Sequence, residues 1–432
     1  MGALAELACR PNIGTGAMNR RKTFVLAGSI LFSMQTNSLF SQVDGRTQHS
    51  LPRELHQNSA PYRHLSATLD SVRRSEKSSL SILHIGGSHV QAGWIAHFLR
   101  EQLALLAPEA QWSRGLMLPY RLAHTNTPTH FRTEMTGSWS GESCAKRNWT
   151  SRLIDPGSGT GMQVHTSSEL ASIQHVAFLP DSTKITSDSF DIWTNANRNE
   201  ISFGSAQSSI QLTAFEGGNG WRLTLPSPVD TFRLDFFPDE NRSTPLVYEG
   251  VYAELNGSTQ IVINEWGHNG LHIQDIRDCP EFAVLAKRLK PDLVILGVGL
   301  NDAMNEKGFE LAQFALDYSW TINALKEALP ETAILLLSNT PVNSDKPFIT
   351  KNSEQIRSFL QSYSKSVGCG FFDLSEAMGG TESMQEWMAQ GWMKSDGIHF
   401  HSAGYQHIAY QIFTEIERAF LTDKKARNST ER

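Results

Sequence analysis

The ten residues HIGGSHVQAG, positions 84–93, follow an apolar run and precede a stretch with helical spacing. Gly86 and Gly87 tolerate backbone angles that other residues resist, so the chain can turn sharply between a strand and a helix. Such a turn can hold Ser88 out from the edge of a sheet. Ser88 is therefore either a nucleophile or an ordinary helix cap, and the other motifs of the sequence decide between these roles.

The composition is that of an ordinary globular protein. The chain has 432 residues, of which 40% are hydrophobic and 19% are charged, and its formal net charge is -6. A chain of this length exceeds the size at which one hydrophobic core stops growing, which favours two domains. The negative charge balance and the lack of a basic stripe argue against a nucleic-acid partner.

The first 41 residues have the pattern of an export signal with an upstream extension. From Met18, a basic cluster precedes the apolar run Phe24–Met34, and small polar residues follow it. This order is typical of a secretory signal peptide, and we expect cleavage near Ser41. The apolar run is too short to span a bilayer comfortably, and no later segment reaches membrane length. We therefore expect an exported protein, periplasmic or extracellular, without a membrane span.

Two patterns of sequence alternate after this segment. Residues 79–107 have the pattern of a strand and then a helix, and from about residue 262 strands and helices alternate again. Such alternation indicates a parallel sheet covered by helices on both faces. Residues 113–256 instead offer short runs about ten residues apart, and one of them, FRLDF, alternates apolar and charged residues. This spacing favours a β-sandwich.

These patterns predict an α/β protein with an inserted β-domain. We expect a discontinuous α/β domain at residues 42–112 and 257–421, a β-sandwich at residues 113–256, and a solvated tail at residues 422–432. The aromatic content of the insert disfavours a long disordered segment.

Three further stretches lie at corresponding places in the α/β part. GHNG (267–270) follows one predicted strand, GLND (299–302) follows the next, and DGIH (396–399) precedes the last helix. Because the carboxyl ends of parallel strands share one edge of the sheet, we expect these stretches and Ser88 to converge there.

The residue types in these stretches suit acyl transfer. Asp396 and His399 are three residues apart, so the carboxylate could orient the imidazole, which could then act as general base on Ser88. Asn301 offers a side-chain amide, and Gly270 and Ser88 offer backbone N–H groups, for a developing oxyanion. Each residue alone also fits a turn or a surface loop, but their joint occurrence at predicted strand ends favours a catalytic site.

The motifs IGGSHVQAG, GHNG, GLND and DGIH resemble blocks I, II, III and V of the SGNH hydrolases, the GDSL family of esterases and lipases. The resemblance implies a flavodoxin-like, three-layer α/β/α fold and an enzyme without a metal or another cofactor. It also implies that Ser88 is the nucleophile and that Gly270 and Asn301 complete the oxyanion hole. Asp396 and His399 would finish the triad.

Two positions depart from the family pattern or leave it open. Gly87 stands where the family usually has Asp before the serine, which implies a looser turn and lower activity. Gly267 is the alternative to Gly270 as the block II glycine. The insert, from residue 115 onward, resembles that of the secreted group that includes peptidoglycan O-acetylesterases with a carbohydrate-binding-like module. That resemblance implies an acetylated glycan, foremost peptidoglycan, as the substrate.

Other functions stay open at this point. The substrate could be an ester of another polysaccharide or of a lipid, or the chain could be a glycan-binding protein whose hydrolase domain has decayed. Gly87 favours the decayed domain, whereas the retained Asn301, Asp396 and His399 count against it. Some tryptophans of the insert could stack on sugar rings, although tryptophans in a sandwich usually belong to the core. They are Trp139, Trp149, Trp193 and Trp221.

The cysteines and histidines do not predict a metal site. Cys144, Cys279 and Cys369 lie far apart, so they form no disulfide framework, although one bridge is possible. Several histidines lie in or near the motif loops, but none has ligand spacing on a helix, which favours a triad over a metal centre. They are His84, His89, His268, His272, His399 and His401.

Overall fold

The computed structural model describes residues 60–76, 79–145, 157–179, 181–204, 209–216, 219–279 and 281–430, with side chains as far as residue 418. The predicted signal peptide at residues 1–41 and Trp149 lie outside these described residues. None of the helices in the described part of the chain combines the length and the apolar character that a membrane crossing requires.

The strands of the described residues are numbered here in chain order. They are β1 (Ser79–Gly86), β2 (Gln111–Ser113), β3 (Gly115–Met117), β4 (Phe131–Thr136), β5 (Trp139–Ser143), β6 (Met162–Thr166), β7 (Ala171–Ala177), β8 (Ser187–Thr194), β9 (Ile201–Phe203), β10 (Gln211–Ala214), β11 (Trp221–Val229), β12 (Phe232–Phe236), β13 (Leu246–Glu254), β14 (Gln260–Gly267), β15 (Leu293–Gly297), β16 (Ala333–Leu337) and β17 (Gly370–Phe372).

The α-helices of the described residues are numbered in the same way. They are α1 (Ala60–Arg73), α2 (Ser88–Gln91), α3 (Trp94–Leu106), α4 (Ile273–Arg277), α5 (Phe282–Leu289), α6 (Leu300–Ala303), α7 (Leu311–Ala328), α8 (Pro347–Val367), α9 (Leu374–Ala377), α10 (Met384–Ala389) and α11 (Ser402–Thr430).

A parallel sheet organises the α/β part, as the sequence predicts. Its strand order is β17-β16-β15-β1-β14-β2, and each neighbouring pair is parallel. Without the short edge strand β2, the strands follow the chain order 2-1-3-4-5, which is the flavodoxin-like order. The order reverses between β1 and β15, and ligands bind at this point in such sheets.

Apolar side chains cover both faces of the parallel sheet. On one face, Leu80 and Ile82 of β1 belong to a core cluster with residues of α1, α3 and α11. The alternate residues of β1, Leu83 and Ile85, are equally buried. Because side chains alternate between the two faces of a strand, the second face is covered as well. The result is a three-layer α/β/α arrangement.

The described residues between positions 115 and 254 form two antiparallel sheets. One sheet has the order β10-β11-β8-β13-β6-β5, with β3 paired to β13, and the other has the order β4-β7-β12-β9. Phe190 of β8 and Phe232 of β12 have ring centroids 4.9 Å apart, and the His175 Nε2 of β7 lies 3.0 Å from the Tyr248 hydroxyl of β13. Such contacts between sheets are typical of a β-sandwich. That this region is a separate inserted domain stays a prediction.

A buried ionic cluster joins the parallel sheet to the antiparallel part. Glu265 of β14 lies 3.2 Å from the Arg114 guanidinium, 2.7 Å from His130 Nε2 and 3.8 Å from the Arg100 guanidinium of α3. Burial by itself raises the pKa of Glu265, but His130 and the two guanidinium groups lower it to about 2. The charged Glu265 carboxylate therefore links β14 to Arg114, just before β3, and to His130, just before β4.

The last helix is longer than the sequence analysis indicates. α11 continues to Thr430, whereas we expect the α/β domain to end at residue 421 and a tail to follow. Residues 422–430 contain neither Gly nor Pro, so nothing in the sequence breaks the helix there.

Candidate active site

Ser88 lies where the sequence predicts, directly after β1 and at the first position of α2. The Gly87 carbonyl accepts hydrogen bonds from the N–H groups of Val90 and Gln91, at 3.1 and 3.0 Å. A Cβ at Gly86 would lie 2.5 Å from Val90 Cγ2, so only glycine fits there. The turn that presents Ser88 is thus closely packed and hydrogen-bonded. A lower activity because of Gly87 stays a prediction.

A chain of hydrogen bonds connects Ser88, His399 and Asp396. Ser88 Oγ is 2.9 Å from His399 Nε2, and His399 Nδ1 is 2.8 Å from Asp396 Oδ2. An imidazole that donates its Nδ1 proton to a carboxylate has a lone pair at Nε2, which can accept the Ser88 hydroxyl proton. The structure thus brings together these three predicted residues, which lie more than three hundred positions apart in the sequence.

Asp396 is fixed by its own loop. Its Oδ1 accepts hydrogen bonds from the N–H groups of Ile398 and His399, both at 2.9 Å, while Oδ2 faces the imidazole. Burial alone raises the pKa of Asp396, but these two N–H groups and His399 lower it to about 2. The carboxylate is therefore ionised at neutral pH, as orienting and stabilising an imidazolium requires.

His89 lies beside the His399 ring and contacts Tyr405. The His89 ring centroid is 5.5 Å from that of His399, and His89 Nδ1 is 3.0 Å from the Tyr405 hydroxyl. The second ring nitrogen, Nε2, lies 3.3 Å from Thr340 Oγ1. Burial first, and then the nearby His399, lowers the pKa of His89 to about 3, so His89 is neutral near neutral pH. The sequence alone gives no sign of this packing.

Asn301, in α6, lies next to the turn that carries Ser88. A Cβ at Gly87 would be 2.9 Å from Asn301 Nδ2, and the same Nδ2 donates to the Leu271 carbonyl at 3.1 Å. The amide thus lies beside the residue that precedes Ser88. It has a second N–H hydrogen available, because each side-chain amide carries two.

The structure distinguishes the two candidate block II glycines. Gly267 is buried at the end of β14, and a Cβ there would be 2.4 Å from the Gln91 backbone nitrogen. Gly270 is exposed in the following loop, has a φ of 83° and has open space around its Cβ position. Only Gly270 can therefore present its backbone to a ligand.

Gln91 fixes the loop before Gly270, a function that sequence analysis does not reveal. Its side chain is buried, and its Oε1 accepts a hydrogen bond from the Asn269 N–H at 2.6 Å. Its Nε2 donates to Thr125 Oγ1 at 3.0 Å and to the Asn126 carbonyl at 2.7 Å. One side chain of α2 thus connects the block II loop to the loop that follows β3.

Two backbone N–H groups lie unbonded near the carboxyl edge of the parallel sheet, within the described residues. Within the described residues, the N–H groups of Ser88 and Gly270 have no hydrogen-bond acceptor. Together with the Asn301 amide, they are the groups that the sequence analysis predicts for an oxyanion hole.

The histidines near the motifs do not form a metal-binding group within the described residues. His268 is fully buried, with Nδ1 2.9 Å from Ser143 Oγ and Nε2 3.1 Å from the Thr160 carbonyl. Its pKa is lowered to about 3 by burial. Among the described residues, no three His, Cys, Asp or Glu side chains come together in a way that could hold a metal ion.

The described tryptophans of the antiparallel part are buried or half-buried. Trp139 and Trp193 are buried, and Trp221 is half-buried with its Nε1 donating to the Ala196 carbonyl at 3.0 Å.

Comparison with known proteins gives the class of the chain. Residues 230–407 match the GDSL-like Lipase/Acylhydrolase family. This segment contains Gly270, Asn301, Asp396 and His399, whereas Ser88 precedes it. The match spans less than half of the chain. It confirms the resemblance predicted from the motifs and supports a carboxylic ester hydrolase. No curated protein matches the chain significantly.

Several solved structures are also similar to the chain. The chain is similar to a structure described as a peptidoglycan O-acetylesterase in action, with a TM-score of 0.67 and 20% identity over 84% of this chain and 98% of that chain. An acetylxylan esterase from Geobacillus stearothermophilus matches 36% of this chain and 73% of its own, at 17% identity and a TM-score of 0.30. A carbohydrate esterase family 3 structure from Talaromyces cellulolyticus matches 36% and 72%, at 25% identity and a TM-score of 0.30.

Proposed function

We propose that the chain is an exported serine esterase that removes O-acetyl groups from a glycan, with peptidoglycan as the leading substrate. The observation that carries this proposal is the hydrogen-bonded chain from Ser88 through His399 to Asp396. It lies at the carboxyl edge of the parallel sheet, beside the point at which the strand order reverses.

Acyl transfer follows from this arrangement. Ser88 Oγ attacks the ester carbonyl while His399 Nε2 takes the hydroxyl proton, and Asp396 stabilises the imidazolium that forms. The proton then passes to the sugar oxygen as the C–O bond breaks, leaving an acetyl group on Ser88. Water attacks this acyl-enzyme with His399 again as the base, which releases acetate and restores the serine.

Three donors suit the oxyanion of each tetrahedral intermediate. The N–H groups of Ser88 and Gly270 are unpaired within the described residues, and Asn301 has a second amide hydrogen beside Gly87. We assign these donors to the oxyanion hole. Preorganised donors of this kind usually supply the largest single share of the rate enhancement.

The antiparallel sheets support a glycan ester as substrate. The likeness to the solved peptidoglycan O-acetylesterase covers 84% of the chain, which is more than the parallel-sheet part contains, so it extends into these sheets. An inserted β-sandwich beside the site would suit a polymeric substrate better than a small lipid ester. Trp139 and Trp193 are buried, so neither is placed to stack on a sugar ring.

Export is the remaining part of the proposal. It is supported by the basic cluster and apolar run that follow Met18. Expression of the full chain in a bacterium with an export system should yield a periplasmic or secreted protein whose N-terminus lies near Ser41. A cytoplasmic protein with an intact N-terminus would contradict it.

Acetate release from defined substrates tests the function. The wild-type chain should release acetate from O-acetylated peptidoglycan faster than from acetylated xylan or from a triacylglycerol. Ser88→Ala should lower this rate at least about 10³-fold, because it removes the nucleophile. Ser366→Ala, an exposed serine near the end of α8, is the matched control and should retain the full rate.

The possible failures of this experiment are separable. A preference for xylan or for the lipid ester would overturn the substrate and leave the esterase. Equal rates for Ser88→Ala and wild type would overturn the proposed nucleophile. Binding to peptidoglycan without acetate release from any substrate would favour a glycan-binding protein with a decayed site.

A further inference from the structure

A second histidine on the turn that carries Ser88 packs against the base of the triad. His89 directly follows Ser88 in α2, and its ring centroid is 5.5 Å from that of His399. This contact joins the Ser88 turn to the DGIH loop. It is separate from the hydrogen bond between Ser88 Oγ and His399 Nε2, which takes part in the reaction itself.

Hydrogen bonds to two hydroxyl groups fix the His89 ring. Its Nδ1 lies 3.0 Å from the Tyr405 hydroxyl, and its Nε2 lies 3.3 Å from Thr340 Oγ1. A neutral imidazole has one donor and one acceptor nitrogen, and a hydroxyl group can serve either of them. Tyr405 and Thr340 are both buried, so the ring is held by closely packed partners.

Aromatic packing holds the same ring from the side of the DGIH loop. The fully buried Phe400, which follows His399 in the chain, has its ring centroid 5.5 Å from that of His89 and 5.6 Å from that of Tyr405. Burial first, and then the nearby His399, lowers the pKa of His89 to about 3. The His89 ring is therefore neutral and does not repel the imidazolium that forms on His399.

Acylation removes the direct link between the nucleophile and the base. In the free enzyme, Ser88 Oγ donates its hydrogen to His399 Nε2 at 2.9 Å. Once Ser88 carries an acetyl group, Oγ has no hydrogen to donate, and this bond is lost. Within the described residues, the remaining side-chain hydrogen bond of His399 is that of Nδ1 with Asp396. The imidazole must nevertheless keep its orientation, because it next removes a proton from water.

We propose that His89 is a positioning residue that holds the His399 imidazole in place in the acyl-enzyme, and that it serves deacylation more than acylation. This role rests on the proposed function, in which Ser88 carries the acetyl group. Acylation depends less on His89, because Ser88 itself then holds the imidazole through its hydroxyl hydrogen.

The step that depends on His89 is the attack of water. His399 Nε2 takes one proton from the water molecule while the water oxygen forms a bond to the acetyl carbon. The bond between Ser88 Oγ and the acetyl carbon then breaks, and the proton passes from His399 to Oγ. Acetic acid leaves and ionises in solution, and the free serine is restored.

Turnover of p-nitrophenyl acetate by the full chain separates the two half-reactions. With enzyme in excess, nitrophenol release follows acylation, and the decay of acetylated Ser88 in quenched samples, measured by mass spectrometry, follows deacylation. His89→Ala should slow deacylation about 10- to 10²-fold and leave acylation within about threefold of wild type. In the steady state kcat and KM should then fall together, with little change in kcat/KM.

Two further variants complete the test. Tyr405→Phe removes the hydroxyl partner of His89 Nδ1 and keeps the ring, so it should slow deacylation in the same way but by a smaller factor. It also decides the question if His89→Ala fails to fold. His64→Ala is the matched control, because His64 is an exposed histidine of α1 beside Asp292, at the amino edge of the parallel sheet. It should retain both rates.

The other outcomes are distinguishable. Equal losses in acylation and deacylation would overturn the proposal, since they would indicate general damage to the site. Wild-type deacylation in both His89→Ala and Tyr405→Phe would overturn the role of His89 and leave the proposed function intact. If acetylated Ser88 is found in none of the proteins, the proposed nucleophile is overturned and this role with it.

Discussion

The two motif loops at the edge of the parallel sheet are held in different ways. The DGIH loop (396–399) is fixed largely from within, because Asp396 accepts the N–H groups of Ile398 and His399 and also faces the His399 imidazole. From outside the loop, Ser88 Oγ donates to His399 Nε2 at 2.9 Å, and the Asn343 N–H donates to the Gly397 carbonyl at 2.9 Å.

The GHNG loop (267–270) depends on distant segments. Asn269 is held by Gln91 of α2 and by Thr125. The two ring nitrogens of His268 contact Ser143, at the end of β5, and Thr160, between β5 and β6. A loop fixed from within keeps its geometry when remote parts change. A loop fixed from outside can be altered from several places without any change in its own residues.

We expect the largest loss of activity from a substitution in the DGIH loop. Asp396→Asn should lower kcat about 10²- to 10⁴-fold, because the amide can neither stabilise an imidazolium nor enforce the Nδ1–H tautomer. Asp345→Asn, an exposed carboxylate elsewhere, should have no effect. Rates of acetate release by the three proteins check this expectation, and a loss of less than tenfold for Asp396→Asn would contradict it.

The same variant makes a prediction about pH. Since the pKa of Asp396 is lowered to about 2, the wild-type carboxylate is ionised above that value. The ratio of wild-type to Asp396→Asn rates should therefore remain large from about pH 4 to pH 9. The stability contributed by the low pKa is present above the ordinary Asp value near 4 and is lost as the pH falls through about 2. A ratio that approaches one at pH 5 would show that Asp396 is protonated there.

Asn301→Ala should have the next largest effect. Loss of one oxyanion donor typically costs about 10²- to 10³-fold in kcat. KM should change little, because the developing charge exists only in the transition state. Asn305→Ala, in the residues just after α6, is the matched control. If Asn301→Ala raises KM and retains kcat, Asn301 binds the substrate in its ground state and not the transition state.

Gln91→Leu tests whether the GHNG loop is held from outside. The substitution removes the acceptor of the Asn269 N–H and the donor to the Asn126 carbonyl, two hydrogen bonds that typically contribute about 0.5–1.5 kcal/mol each. We expect kcat to fall about tenfold, a change worth ~1.4 kcal/mol, with a lower thermal midpoint. Gln274→Leu, an exposed glutamine of α4, should leave both quantities unchanged. Retention of full kcat in a destabilised Gln91→Leu would remove the link between this side chain and the site.

Gly270→Ala should have the smallest effect. A left-handed backbone costs an L-residue about 1–2 kcal/mol, and the Cβ meets no other atom, so we expect a loss of only several-fold in kcat. Gly257→Ala is a close control, because Gly257 has a φ of 73°, equally open space, and a position remote from the site. Equal activity of the two variants would show that the left-handed backbone at position 270 does not need glycine for the full rate.

The difference between the loops also explains what could be predicted from sequence. Asp396 and His399 are close in sequence and interact directly, so their spacing, taken together with the other motifs, predicts the contact that the structure contains. The parallel sheet and the turn at Ser88 likewise follow from apolar runs and glycines. The roles of Gln91 and His89 could not be predicted, because each depends on partners brought in by the fold: Thr125 and Asn126 in one case and Tyr405 in the other. The sequence also did not predict where α11 ends, because polar residues that permit a helix are equally compatible with a solvated tail.

The most direct measurement of the central claim is the site of labelling by a fluorophosphonate. This reagent captures a serine only when a base removes its proton and donors stabilise the oxyanion, which is the state proposed for Ser88. Mass spectrometry of the treated wild-type chain should find one adduct, on the peptide that contains Ser88, and Ser88→Ala and His399→Ala should remain unlabelled. An adduct on another serine, or no adduct on folded wild-type protein, would contradict the account.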